Sequence, residues 1–338
     1  MFAVVDCGTT NTRVYIIEGK DTIVASGSKK VGVRDTSITG SKDALRNGVT
    51  ELFFSVLREN GIEERNVDFA IASGMITSEI GLMEIPHSIA PVGLKELAAG
   101  IVKVDDPAVL PIGRPVYFVR GIRNSYPATA GIADLRDIDF MRGEEVQCIG
   151  VLLDKQVQSP CSIVALSSHT KVMYIDETGS IVASNTTISG QFYEALIGST
   201  NIGKSIVPCE GETPGGYSFE ELVAAAMDCV EHAGLGRTML MPRFMQVLLK
   251  TDSVERDTFV NAAIAADDIK AFREMRERGH ASDRYIFYGN RGRCELYDFM
   301  LKKVFGNQLD IRSISDKQEI DLLTVRGASA VAASVINQ

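Results

Sequence analysis

Asp6 ends the apolar run Phe2-Ala3-Val4-Val5, and Gly8-Thr9-Thr10-Asn11 follows at once, with Arg13 just beyond. Glycine and small hydroxyl residues in a hairpin turn let backbone N–H groups approach phosphate oxygens closely. A carboxylate at the end of the preceding strand can hold a hydrated Mg²⁺, which asks for octahedral oxygen ligands and keeps its waters. Asp6, Gly8, Thr9, Thr10 and Asn11 therefore suit phosphoryl transfer, a reaction that rests on positioning and charge neutralisation. The same residues are common turn formers, so a plain capped hairpin is the competing reading. The other common ATP-binding loop, a Gly-x-x-x-x-Gly-Lys-Ser/Thr run, is set aside as absent. A dinucleotide dehydrogenase is set aside for want of a Gly-x-Gly-x-x-Gly turn between strand and helix.

The elements that must position these residues alternate between strand and helix, which predicts an α/β architecture. The opening reads as strand 2–5, turn 6–11, strand 12–18 and strand 22–28. A second copy of the pattern lies in mid-chain: strand 162–166, the polar turn Ser167-Ser168-His169-Thr170, and strands 171–176 and 180–184. Such duplication suggests two related domains facing one another. We place them at 1–155 and 156–338, because Gln and Pro break the pattern between 153 and 162. Helices are expected over 41–60, 144–153, 219–231, 239–249, 254–272, 293–305 and 328–336, and further strands over 67–73, 284–288 and 311–313.

Bulk properties narrow the class. A chain of 338 residues exceeds what one core usually serves. A formal net charge of −9 repels a phosphate backbone, so nucleic acid is not an expected partner. Six cysteines without a C-x-x-C pair lend no support to zinc or redox motifs and point to a reducing compartment. There is no leader-like start and no apolar run of membrane length. A cytoplasmic protein acting on small molecules, with no membrane partner, is expected; a homodimer is allowed but not decided by the sequence.

Asp6-x-Gly8-x-Thr10 resembles the first phosphate loop of the actin–hexokinase superfamily. Asp139-Phe140-Met141-Arg142-Gly143-Glu144-Glu145-x-Gln147 resembles the Asp-Val-Met-Arg-Gly-Glu-Glu-x-Gln signature of 2-dehydro-3-deoxygalactonokinases. Ser168-His169-Thr170-Lys171 is similar to that family's second hairpin, Thr187 to Leu196 to its Met-Thr-Gly-Glu-Leu segment, and Gly74-Met75-Ile76-x-Ser78 with Ile85-Pro86 and Pro91 to its Gly-Met-Ile/Val-Gly-Ser region. The likeness runs in order over nearly the whole chain. It implies two ribonuclease-H-like domains of actin–hexokinase type flanking an interdomain cleft. It also implies ATP and Mg²⁺ as cofactors, and transfer of the γ-phosphoryl to the 6-hydroxyl of 2-dehydro-3-deoxy-D-galactonate in galactonate breakdown. The alternatives are a kinase of another sugar acid or polyol, or a non-catalytic nucleotide-binding regulator. The chain departs from the family at Ser167, where glycine is usual, at Val172, where tryptophan is usual, and in the loop Gly289-Asn290-Arg291-Gly292-Arg293, whose arginines would pair with phosphates or stay solvated.

A sugar hydroxyl must lose a proton as it attacks phosphorus, and a carboxylate is the expected base. Adjacent residues on a helix point apart, so Glu144 and Glu145 cannot both face one oxygen. We assign the base to Glu144, leaving Glu145 to bind Arg142, meet substrate or cap the helix. Their competing role is to complement the helix dipole. Arg142 is a candidate clamp for the substrate carboxylate or else a structural ion pair. His169 and Lys171, with Gly74 and Met75, are candidate substrate contacts, and each has a plain turn or strand-end alternative. Ser168 and Thr170 would bind phosphate, and Gly289 and Asn290 the nucleoside.

Overall fold

The computed structural model describes residues 1–208 and 212–336, with side chains described to residue 333; Cys209 lies outside them. Contacts divide the chain into two compact units. One holds Met1–Pro160, Ile175–Ser184 and Lys317–Gln338, and the other Cys161–Tyr174 and Asn185–Asp316.

In the first unit, β1 (Phe2–Cys7), β2 (Thr12–Glu18) and β3 (Thr22–Lys29) form an antiparallel meander. β4 (Ala70–Gly74), β7 (Val116–Phe118) and β6 (Val102–Val104) extend it in the order β3-β2-β1-β4-β7-β6, with β1–β4 and β4–β7 parallel. Phe2 to Val5 are all buried, as befits a strand covered on both faces. The short α1 (Val33–Thr39) precedes α2 (Asp43–Glu59), which buries Leu45, Val49, Leu52, Phe53, Val56 and Leu57 in one core with Ala3, Val5, Val14 and Ile16. That is the 3.6-residue stripe read from the sequence. A small sheet of β5 (Ser88–Ile89), β8 (Ile122–Arg123) and β9 (Phe140–Met141) leads into α4 (Glu144–Leu152). α3 (Leu94–Ala99) and α11 (Lys317–Ile336) complete the unit.

The other sheet orders β12 (Ile181–Thr187), β11 (Thr170–Ile175), β10 (Cys161–Leu166), β13 (Arg284–Gly289) and β14 (Asp310–Ile314), with β10–β13 and β13–β14 parallel. A hairpin, a third strand and then parallel neighbours repeat the plan of the first sheet, so the duplication is one of topology. α5 (Ser189–Ser199), α6 (Gly203–Ile206), α7 (Phe219–Thr238), α8 (Met241–Phe244), α9 (Ser253–Glu277) and α10 (Arg291–Phe305) belong to this unit. Ser218 and Asp252 start α7 and α9 with capping boxes.

Three expectations need correction. Residues 239–249 are not one helix: α8 gives way to a π-turn over Met245–Leu249. α7 runs past 231 to Thr238 with a kink at Gly234, φ +75°. The closing helix starts at Lys317 rather than 328, because its first turns carry Lys317, Glu319 and Asp321 and ends in Gly327, which hides the apolar period. That glycine is required by packing. A Cβ on it would sit 1.9 Å from the Val146 carbonyl oxygen, and one on Gly150 of α4 2.0 Å from that of Leu323. The two helices touch backbone to backbone. Cys7, Cys148, Cys161, Cys229 and Cys294 are free thiols, and no helix among the described residues is long and apolar enough to cross a membrane.

Gly327→Val should therefore lower stability by about 1–3 kcal/mol through overpacking. Gly131→Ala, where a Cβ meets nothing within 4 Å, should leave it unchanged; thermal melts of the two variants read the difference.

Candidate active site

β1 delivers Asp6 opposite Arg13 of β2 and beside Ser73 of β4. The Gly8 N–H donates to Asn11 O at 2.9 Å and closes the turn. The turn is held from behind through its carbonyls and flanks: Arg34 N–H donates to Thr9 O at 2.9 Å, and Thr12 Oγ1 to Val31 O at 2.8 Å. Gly32 permits this, since a Cβ there would lie 2.4 Å from Thr9 O. Among the described residues, none accepts from the N–H groups of Thr9, Thr10 or Asn11. Thr9 and Asn11 are exposed, so these donors are available to an anion.

Two glycines bring α4 to this turn. Gly74 has φ +86° and Gly143 φ +105°, values that favour glycine. A Cβ on Gly74 would sit 2.4 Å from Cys7 O and 3.6 Å from Asp6 Oδ1; one on Gly143 would sit 3.3 Å from the Gly74 Cα. The ends of β1 and β4 and the start of α4 thus meet without side chains between them, which sets Glu144 near Asp6. Asp6 Oδ2 lies 3.3 Å from Arg13 Nη1, and Arg13 Nε lies 3.9 Å from Asp321 Oδ1. Burial pushes the Asp6 pKa up; Arg13 opposes this, while Glu144 and Asp321 add to it. Asp321 escaped the sequence reading because it sits in the charged opening of α11.

The neighbouring glutamates have different environments. Glu144 is half-buried, whereas Glu145 is 0% exposed. The Gly143 N–H donates to Glu145 Oε2 at 2.7 Å, and Oε1 has no partner. Burial first, and Glu144 second, push the Glu145 pKa up to about 8. Arg142 donates through Nη1 to Thr77 Oγ1 at 2.7 Å and through Nη2 to Ile85 O at 2.8 Å, tying the segment after Gly74 to α4. Met75 packs, half-buried, against the core of the same unit.

These residues fit a hydrated Mg²⁺. Asp6 offers one carboxylate in negative surroundings that a cation would relieve, and bare N–H groups stand across the turn. No group of three or more His, Cys, Asp or Glu side chains forms a protein cage among the described residues. That suits a cation held largely through water and substrate oxygens.

In the other unit, Ser167 and Ser168 are exposed at the tip of the second hairpin, and Ser168 Oγ lies 3.1 Å from His169 Nδ1. Thr170 is 0% exposed and Lys171 4%; Lys171 Nζ donates to Thr186 Oγ1 at 2.6 Å. Arg293 of α10 donates to Ser167 O and, at 2.9 Å, to Thr170 Oγ1. Tyr297 lies 3.1 Å from Thr170 Oγ1 and donates to the buried Asp268, which also accepts from Ser189 Oγ. Arg293, half-buried, thus braces the hairpin. Arg291 lies 3.4 Å from Glu295. Asn290 caps α10 by accepting from Gly292 N–H at 2.9 Å and Arg293 N–H at 3.3 Å. Gly289 lies so close to Leu166 that a Cβ would be 2.3 Å from its carbonyl oxygen. Asp268 and Tyr297 were not foreseen, since both lie inside helices, where buried polar positions look like any other.

The expected absence of a Gly-x-x-x-x-Gly-Lys-Ser/Thr run needs correction. Gly198-Ser199-Thr200-Asn201-Ile202-Gly203-Lys204-Ser205 has the spacing of a Gly-x-x-x-x-Gly-Lys-Ser phosphate loop. Its context is wrong for that role, which needs strand, loop and helix in succession. Here it joins α5 to the four-residue α6, and Ser205 is buried with its hydroxyl donating to Gln246 Oε1 at 2.9 Å.

A family profile described as 2-keto-3-deoxy-galactonokinase matches residues 6–318. Among solved structures, a protein of Sinorhizobium meliloti described as a candidate 2-dehydro-3-deoxygalactonokinase superposes with a TM-score of 0.75 at 19% identity, covering 99% of this chain and 97% of its own. Component A of (R)-2-hydroxyglutaryl-CoA dehydratase from Acidaminococcus fermentans gives 0.51 at 11% identity, covering 99% and 98%. No curated protein matches. At these identities the structural likenesses speak to fold.

Glu145 yields a pH prediction. Its carboxyl ionises at the ordinary 4.5 when unfolded and near 8 in the fold. It favours the fold fully below pH 4.5, and that contribution is lost as pH rises to about 8. Glu145→Gln removes the titration, so the variant should gain on the parent across that window and hold its gain above it. Parallel stability curves for the two proteins would show that Glu145 ionises normally.

Proposed function

The chain belongs to the 2-keto-3-deoxy-galactonokinase family, and from that premise we propose that it moves the γ-phosphoryl of ATP to the 6-hydroxyl of 2-dehydro-3-deoxy-D-galactonate, in the cytoplasm, as a step of galactonate breakdown. The chain is a sugar kinase of α/β, actin–hexokinase type. The donor, the acceptor and the roles below are our reading. The observation that carries it is the pairing of Glu144 and Asp6 beside a turn whose N–H groups lack partners.

In this reading the N–H groups of Thr9, Thr10 and Asn11 and the hydroxyls of Thr9 and Thr10 bind phosphate oxygens. Asp6 holds the hydrated Mg²⁺, which when bound offsets the charge of the phosphates. Glu144 accepts the proton of the 6-hydroxyl as O6 bonds to the γ-phosphorus and the bond to the β–γ bridging oxygen breaks, releasing ADP. Glu145 acts through Gly143, holding the first turn of α4 against Gly74. Exposed Ser168 and half-buried His169 supply a polar tip on the other hairpin. Thr170 and Lys171 fix that tip from inside their own unit, and Gly289 and Asn290 shape the neighbouring loop toward a nucleoside.

Purified protein with ATP, Mg²⁺ and a panel of 2-keto-3-deoxy sugar acids tests the substrate: turnover of the galactonate derivative with phosphate on C6 is expected, and no turnover of it removes this acceptor. Glu144→Gln should cut kcat by roughly 10²–10⁴-fold, the span of general-base catalysis. Asp6→Asn should cut it too and raise the Mg²⁺ requirement. Full activity in Asp6→Asn would move the site elsewhere.

A further inference from the structure

The small sheet of the first unit carries two arginines that no carboxylate among the described residues pairs directly, although Glu145, Glu79 and Glu84 act on Arg142 from further off. Arg123 ends β8 and pairs in register with Phe140 of β9. Its guanidinium stacks on Tyr126, 4.4 Å from the ring centroid, and donates to Asn124 O at 3.2 Å. Arg142 follows β9 and spends its two Nη groups on neutral oxygens, Thr77 Oγ1 and Ile85 O. Among the described residues, no carboxylate ion-pairs with either arginine. In a chain of net charge −9, two guanidinium groups without ion pairs on one small sheet call for an explanation.

His87 lies in the same cluster. A Cβ on Gly121 would be 2.8 Å from His87 Cδ2 and 2.7 Å from Arg142 Cγ, so that glycine lets imidazole and arginine stem share one spot. Burial, then Arg142 and Arg123, lower the His87 pKa to about 4, with exposed Glu79 pulling weakly the other way. The ring is neutral, and its Nε2 is shielded and without a partner. Phe140, 56% exposed, lies against it at 5.2 Å between ring centroids. The Asn124 amide is fastened to the Ser184 backbone by bonds of 2.9 Å and 2.8 Å, which steadies the end of β8.

We propose that Arg123, with His87 beside it and Arg142 reinforcing the field, receives the carboxylate of the acceptor sugar acid. This rests on the sugar-acid kinase reading above and adds where the acid end binds. A planar guanidinium already held on a tyrosine face presents its remaining N–H fork to a carboxylate at little ordering cost. Phosphate is a poorer occupant, since the bare amides of the Gly8–Asn11 turn serve that purpose in the same unit.

The test compares the parent with Arg123→Gln and Arg123→Lys, using 2-dehydro-3-deoxy-D-galactonate and its C1 amide, by calorimetric binding and by turnover. For Arg123→Gln, Kd and KM for the acid should rise roughly 10- to 100-fold, as for a lost charge-assisted hydrogen bond. KM for ATP should not move, which also certifies the fold. Arg123→Lys should recover part of the loss, and the amide should bind all three proteins alike. An unchanged acid affinity in Arg123→Gln, or an equal loss for acid and amide, overturns the inference while leaving the kinase reading intact. Binding that depends on Arg123 without any phosphoryl transfer would uphold the inference and sink the kinase reading. A parent protein that binds no sugar acid ends both.

Discussion

The first unit depends on close approach of three stretches of backbone at Asp6. The end of β1, the end of β4 and the first turn of α4 meet where Gly74 and Gly143 stand, both at positive φ and both too crowded for a Cβ. A side chain at Gly74 would push β4 away from Cys7 O; one at Gly143 would push α4 off Gly74. The positions of Glu144, of the buried Glu145 beneath it and of Arg142 on its other side all follow from that contact. α4 is in turn pressed against α11 through Gly150 and Gly327, so Asp321, which approaches Arg13, is placed by the same chain of backbone contacts.

Electrostatics explains why Arg13 is needed. Asp6, Glu144 and Asp321 bring negative charge together, and burial adds to the cost of ionising Asp6. Arg13 lies 3.3 Å from one of these carboxylates and 3.9 Å from another. It is partly exposed, so its pairing is worth less than a buried one. The site is therefore electrostatically unfinished in the protein alone, acidic on one side and rich in free amide donors on the other. In the function proposed above, a cation with a polyphosphate would complete both sides at once. Glu145 resolves its own conflict differently, by keeping its proton.

What the sequence revealed and what it hid divide along physical lines. The hairpins, α2 and the start of α4 were legible because each rests on local rules: β-branched runs, turn residues, an apolar stripe and a glycine stop. Asp6 and the Gly8–Asn11 turn were legible for the same reason. Glu145 was not legible as a buried group, since two consecutive glutamates look alike until α4 has a neighbour. Arg293 could not be read as a brace, because the groups it holds, Ser167 O and Thr170 Oγ1, are more than a hundred residues away. The Gly198–Ser205 string shows the opposite hazard: its spacing satisfies a known phosphate loop, and only the helices on either side show that the backbone cannot make one.

The duplicated hairpins illustrate how one topology can carry two solutions. In the first, the turn's carbonyls accept from Val33 and Arg34 at the start of α1, and the N–H groups of Thr9, Thr10 and Asn11 meet no acceptor among the described residues. In the second, Arg293 grips the carbonyl of Ser167 and the hydroxyl of Thr170, and Tyr297 passes the connection to Asp268. Gly190 packs directly against Ser167 O, and the Gln191 N–H donates to Ser168 O at 2.8 Å. A serine at 167 is tolerated there because its carbonyl, not its side chain, is the part held. With its inner groups committed to buried partners, this hairpin presents Ser167 and Ser168 as its exposed residues, with His169 half-buried beside them. Thr170 is fully buried and Lys171 is 4% exposed with its Nζ donating to Thr186 Oγ1, so both side chains sit behind that tip.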